Sequence, residues 1–131
     1  MAPQQPVEMI LLRQLASYLT IAIWVMDADG NLVYYNEPAE TLLGITFDAV
    51  GPVHADQLGD LFRTTDLEGN PMADSSNPVV EALNKQKPTH RELRFCGFDG
   101  VWRDVAVTAI PIEGQASRLL GVLATFWELK P

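Results

Sequence analysis

One cysteine, two histidines, no long apolar run and only two basic side chains in the first 81 residues define by absence what this 131-residue chain is able to do. A lone Cys96 cannot form an internal disulfide, which fits a reducing compartment. The longest apolar runs, such as Ile21 to Met26 and Leu119 to Ala124, fall far short of the roughly 18 residues that a membrane helix needs. No membrane span is expected. Met1 to Pro6 lacks a basic n-region and Met9 to Leu12 is too short for a secretory signal core, so the expected location is cytoplasmic. A formal charge of -8 argues against nucleic acid as a partner, because neutralising phosphates takes clustered Lys and Arg. The charge is also uneven: residues 1 to 81 hold 12 acidic and 2 basic side chains, and residues 82 to 131 hold 5 acidic and 7 basic. Lys85, Lys87, Arg91, Arg94 and Arg103 gather in the second half, where they suit an anionic ligand, an acidic partner or simply a solvated sheet face.

Groups for catalysis are equally scarce. Beside Cys96, His54 and His90 the chain offers four serines, and no nucleophile and base fall into a recognisable arrangement. His90 and Cys96 sit six positions apart on one expected strand, roughly 20 Å at about 3.3 Å per residue, too far for a dyad. The expectation is therefore no enzyme and no catalytic residues. Asp27, Asp29 and Asn31 imitate the first ligands of a calcium loop. That pattern fails at Leu32, where the loop needs Gly, and at Pro38, where it needs a bidentate Glu. One Cys and two distant His cannot supply a tetrahedral zinc set either, so no metal site is expected.

What is present is a core and a clear order of elements. With 47% hydrophobic and 20% charged residues the chain has the balance of a folded globular protein, and its length fits one domain. Ile21 to Met26 is apolar and of strand length; Asp27-Ala28-Asp29-Gly30-Asn31 supplies a tight turn; Leu32 to Tyr35 returns as a second strand. Asn36 is placed to cap a helix, Pro38 tolerates its first turn, Glu37 and Glu40 suit its dipole, and Gly44 is placed to end it in the left-handed conformation.

Ahead of this unit, residues 1–19 contain an amphipathic helix. One stripe carries Val7, Ile10, Leu11, Leu15, Tyr18 and Leu19, and a second carries Met9, Leu12 and Ala16. So much apolar surface needs cover, either from the chain's own sheet or from a second copy. Short helical turns are expected at Phe47 to Val50 and Ala55 to Leu61, and a helix capped by Ser76 or Asn77 runs from Pro78 to Lys87. Three strands follow: Thr89 to Cys96, Val101 to Ile112 and Leu119 to Glu128. The second of these sets Val105, Val107 and Ala109 against Ala106, Thr108 and Ile110, and Pro111 should mark a bulge or strand end. The links between these strands are too short for crossovers, so they pair antiparallel. The fold class is α+β: a five-stranded antiparallel sheet with helices over one face, plus the N-terminal amphipathic helix.

The residues Asp27, Gly30, Asn36, Ala39, Leu43 and Gly44 resemble the opening of a PAS domain, with its D-x-D-G-type turn and N-x-A-x-x-x-L-x-G-like helix. Asp66 to Pro71 and Phe98 to Arg103 continue the pattern in order, so the likeness spans about Leu15 to Leu129, within a module of residues 20–131. The resemblance implies a sensory or regulatory module in signal transduction that binds a small ligand or a partner protein and transmits through its sheet and N-terminal helix. The alternative is a ligand-free dimerisation or assembly module. Candidate pocket walls are Trp24, Met26, Tyr35, Phe47, Phe62, Phe95 and Phe126, with Met72 beside them; as aromatic and flexible residues they also suit a plain core. The family's use of N-terminal helices implies a homodimer, with Val7, Ile10, Leu11, Leu15, Tyr18 and Trp127 as interface candidates and a downstream signalling domain or partner protein as output. A flavin-cysteine photosensor is not expected, because Cys96 lies on a strand and nothing matches the reactive-cysteine helix. Haem is not expected, because neither His54 nor His90 stands inside the relevant helix. The D-I-T-like triplet that often ends the last strand is replaced by Trp127-Glu128-Leu129.

Overall fold

The computed structural model describes residues 6–55, 57, 62–73 and 76–129. Helix α1 (Val7–Ala16) leads into β1 (Ala22–Asp27) and β2 (Leu32–Tyr35), followed by α2 (Glu37–Leu43), α3 (Phe47–Val50), β3 (Arg63–Thr65) and α4 (Pro78–Lys85). Strands β4 (Thr89–Cys96), β5 (Trp102–Glu113) and β6 (Leu119–Glu128) complete the chain. All strands pair antiparallel in one sheet of order β2-β1-β6-β5-β4-β3.

The sheet has six strands where the sequence pattern predicts five. The addition is β3, which pairs Arg63, Thr64 and Thr65 with Cys96, Phe95 and Arg94. Its three polar residues carry no apolar alternation, so burial periodicity had nothing to register. Pro111 does not end β5; it lies two residues past Ala109, the last residue paired with β4, and the register shift falls at Ile112/Glu113. Helix α4 stops at Lys85, short of the expected Lys87, because Gln86 turns into the left-handed region at φ 53°. The expected turn at Phe47–Val50 is present, capped by Thr46, and the one at Ala55 to Leu61 lies mostly outside the described residues.

The sheet separates two cores. On its inner face Trp24, Met26, Tyr35, Leu93, Phe95, Val105, Val107, Ala109, Val122, Ala124 and Phe126 pack with Ala39 and Leu43 of α2 and Val79 and Ala82 of α4. On its outer face Met9 and Ala16 of α1 pack with Ile23, Val25 and Leu120. This arrangement accounts for the unbroken apolar run of β1: a strand covered on both faces has no polar side to alternate with. Burying side chains of this size stabilises by about 1.5–3 kcal/mol each, enough for Met9 to hold one edge of α1 in place.

Two turns of identical chemistry close the loops after β1 and β3. In each, an aspartate (Asp27, Asp66) accepts through Oδ1 from the backbone N–H two and four residues on, at 2.9–3.0 Å. A glycine (Gly30 at φ 87°, Gly69 at φ 91°) supplies the left-handed step that L-residues resist. The Asp27 carboxylate is thus committed to the turn.

Candidate functional site

A cavity of about 120 Å³ lies on the inner sheet face beneath α4. Its walls come from β1, β3, β4, β5 and β6 of the sheet, from α2 and α4, and from the segments that lead into β3 and α4. Trp24, Phe62, Phe95 and Phe126 are the aromatic walls, Val79, Val105 and Val107 are among the aliphatic ones, and Thr64 and Asn77 bring polar atoms. No Asp, Glu, Lys, Arg or His is among the described lining residues.

Three of the four aromatic walls are positioned by strands, Trp24 by β1, Phe95 by β4 and Phe126 by β6, while Phe62 immediately precedes β3. Trp24 sits at the centre of β1 opposite Tyr35 of β2 and Ala124 of β6, so its ring is directed to the inner face by the period-two alternation of the strand. The indole stacks parallel on Tyr35, with centroids 5.4 Å apart and planes at 6°, and meets Phe62 edge-on at 6.1 Å. Tyr35 is itself locked: its hydroxyl donates to the Ile45 carbonyl at 2.8 Å, and burial, with the Glu40 carboxylate adding to it, pushes its pKa up to about 12. Trp24 carries the one anomaly of the site. Its Nε1–H is buried and finds no acceptor among the described residues, an arrangement that costs about 1–3 kcal/mol when a donor stays unpaired.

Four of the seven expected pocket residues, Trp24, Phe62, Phe95 and Phe126, meet at the cavity. Met26 and Tyr35 are buried in the same core away from its wall, and Phe47 packs at the core margin, edge-on to Tyr34 and Tyr35. Met72 is half-buried against that core. The aliphatic and polar walls carry no sequence signal of their own, since a Val facing a cavity and a Val facing a neighbour are written alike. Asn77 was legible only as one of two possible caps, and it is the one that serves: its Oδ1 accepts from Val79 N at 2.9 Å, and its amide N–H groups have no partner among the described residues.

The other half of the site is the seat of α1. Met9 and Ala16 are 1% exposed, while Leu11, Leu15 and Tyr18 are 58%, 55% and 77% exposed, with Val7 and Ile10 also open. The two stripes thus divide: the narrower one packs on the chain's own sheet, and the broader one faces outward. Arg13 lies over the Tyr34 ring at 5.0 Å and secures the helix to β2. Trp127 is exposed on the outer face, its ring 6.3 Å from that of His90, whose Nδ1 is 2.8 Å from Thr108 Oγ1. The basic residues of this region pair in part: Arg94 meets Asp104 at 2.7 Å, and its hydrogen bond holds that carboxyl below the usual carboxylate range.

Asn36 joins the two halves. It is the one fully buried polar residue among those described, and all four of its side-chain hydrogen-bonding positions are used. Oδ1 accepts from Ile23 N at 3.0 Å and from Ala39 N at 3.2 Å; Nδ2 donates to the carbonyls of Ala16 and Ile21, each at 2.9 Å. The cap of α2 is therefore also a clamp on β1 and on the end of α1. Among the described residues no group of three His, Cys, Asp or Glu gathers as a metal site, and no helix is long and apolar enough to cross a membrane.

A curled antiparallel sheet with α2, α3 and α4 over one face and a cavity beneath α4 is the architecture of a PAS domain, and the PAS domain family model matches residues 20–127. The chain belongs to that family. Among solved structures it resembles the PAS domain of a protein from Colwellia psychrerythraea, at 22% identity and a TM-score of 0.65, over 92% of this chain and 97% of that one. It also resembles the PAS domain of BvgS from Bordetella pertussis, at 18% identity and a TM-score of 0.70, over 96% and 89% of the two chains. A third, the PAS domain of nitrogen regulation protein NR(II) from Vibrio parahaemolyticus, is 18% identical with a TM-score of 0.63, over 91% and 98%. At these identities the likeness carries the fold. No curated protein sequence matches the chain.

Proposed function

We propose that the chain is a sensory module in which a small ligand in the cavity, or a partner protein, alters the seat of α1, and that α1 passes the change on through a homodimer. The observation that supports this most directly concerns β1. Trp24 lines the cavity on one face of the strand, and its neighbours Ile23 and Val25 hold α1 on the other. Any displacement of Trp24 is shared within one residue by the helix seat. The stimulus need only favour one of two arrangements by a few kcal/mol. The names of related folds, including a nitrogen regulation protein and a two-component sensor histidine kinase, suit a signalling role of this kind. Nothing in the wall chemistry favours catalysis, and the module is read as one that binds and transmits.

The test fills the cavity from its wall. Ala124→Leu, opposite Trp24, adds bulk to the cavity without touching α1. Hydrogen exchange of the amides Met9 to Ala16 should change severalfold while the fold is retained by circular dichroism. Unchanged exchange in a folded variant removes the coupling. The exposed stripe of α1 favours a second reading, an assembly module that dimerises without a ligand. Absorbance from 300 to 600 nm and mass spectrometry of a denatured extract separate the two, since a co-purified metabolite, haem or flavin belongs only to the first.

A further inference from the structure

We infer that the cavity takes an uncharged, ring-sized organic ligand bearing one hydrogen-bond acceptor, such as a carbonyl oxygen, to which the Trp24 indole N–H donates. The inference rests on the reading of the cavity as a ligand site and adds what kind of molecule enters it. Charge is the first discriminator. With no ionisable side chain among the described wall residues, a carboxylate or an ammonium would lose its hydration and gain no counter-charge.

Polarity is the second. Indole is a donor with no acceptor capacity, and Nε1 of Trp24 has no partner among the described residues. The Asn77 carbonyl oxygen is engaged by the cap of α4, so the residue's two amide N–H donors are its chief remaining capacity. The Thr64 hydroxyl can donate or accept, so with the indole and the Asn77 amide the polar side of the wall is richer in donors and favours a guest that accepts. The parallel stack on Tyr35, whose own hydroxyl is tied to Ile45, fixes the indole in advance, so its alignment costs the ligand little entropy. Size is the third discriminator: about 120 Å³ is of the order that accommodates a single six-membered ring, since an apolar cavity of roughly 150 Å³ takes up benzene. Phe62, Phe95 and Phe126 supply ring edges and faces for such a guest.

Three probes of nearly equal shape test this by calorimetric titration: acetophenone, which carries the acceptor; α-methylstyrene, which replaces it by a methylene; and benzoate, which adds a charge. Acetophenone should bind roughly fivefold or more tighter than α-methylstyrene, a ratio expected of one desolvated hydrogen bond, and benzoate weakest. In Trp24→Phe the ratio should fall to about one, whatever the change in absolute affinity that the smaller ring brings to both probes. Should that variant fold poorly, the wild-type protein with 15N-labelled tryptophan gives a second readout: one indole N–H resonance moves downfield with acetophenone and stays with α-methylstyrene. Equal affinities and an unmoved indole resonance overturn the acceptor assignment while leaving the cavity as a binding site. Tightest binding of benzoate overturns the uncharged class. Failure of all three probes overturns the inference as a whole, whereas the coupling of cavity to α1 stands or falls separately on the Ala124→Leu exchange measurement.

Discussion

The side-chain amide of Asn36 donates to the Ala16 carbonyl 2.9 Å away, so the residue that starts α2 also holds the last turn of α1, twenty residues earlier in the chain. Capping and clamping are separable by substitution. Asn36→Ala removes four hydrogen bonds from a buried position and should cost about 2–4 kcal/mol in chemical denaturation. Asn36→Asp keeps the oxygen that caps Ala39 but sets a carboxylate against two carbonyls. It should be at least as destabilising, and a residue that only capped α2 would tolerate it.

Gly121 lies where β6 passes under both β1 and α1. A methyl group there would collide with the Met26 carbonyl and come within 2.9 Å of Met9 Cε. Gly121→Ala should cost about 1–3 kcal/mol by equilibrium unfolding, with α1 amides losing protection first. A neutral result would mean that α1 and β1 yield easily at this crossing.

Tyr35 sets an alkaline limit on stability. Its folded pKa of about 12 stands above the ordinary value of 10, so the unfolded chain releases the phenolic proton first as pH rises. Stability from this group is complete below pH 10 and declines between pH 10 and 12. Urea midpoints measured across that range should fall for the wild type, and Tyr35→Phe should flatten the fall while lowering stability at neutral pH through loss of the Ile45 hydrogen bond.

The exposed stripe of α1 bears on the proposed homodimer. Leu11→Glu with Leu15→Lys places an opposite-charge pair one helical turn apart, which supports the helix while removing two apolar contacts from its open face. Light scattering should then report the 14.5 kDa of a single chain in place of twice that mass. An unchanged mass with intact helicity would exclude this face as the interface.

Much of the frame was written in local chemistry. The Asp27 turn, the cap Asn36, the stop at Gly44 and the alternation of β5 each follow from residues within a few positions of one another, and each is where the pattern places it, while of the two caps offered for α4, Ser76 and Asn77, it is Asn77 that serves. What escaped was set by distance. Strand β3 is polar and three residues long, and only its pairing with β4 makes it a strand. The division of labour between the stripes of α1 depends on which one meets Ile23 and Val25, and helical spacing alone does not decide that. Likewise, seven aromatic and flexible residues could be named as walls, but the four that gather at the cavity were selected by sheet register and by the position of α4. The second pair of hydrogen bonds made by Asn36 had no sequence signal at all, because its partners are backbone carbonyls.

The strand order leaves the two shortest strands, β2 with four residues and β3 with three, at the two ends of the sheet. An incoming strand would find too few free backbone groups on either side to extend the ladder. Association between copies is thereby steered away from strand addition, the route that leads to open-ended polymers, and towards contact through the faces. A helix-mediated pair on the outer face, as proposed above, would close on itself, and the short borders of the sheet would keep such a pair from growing further.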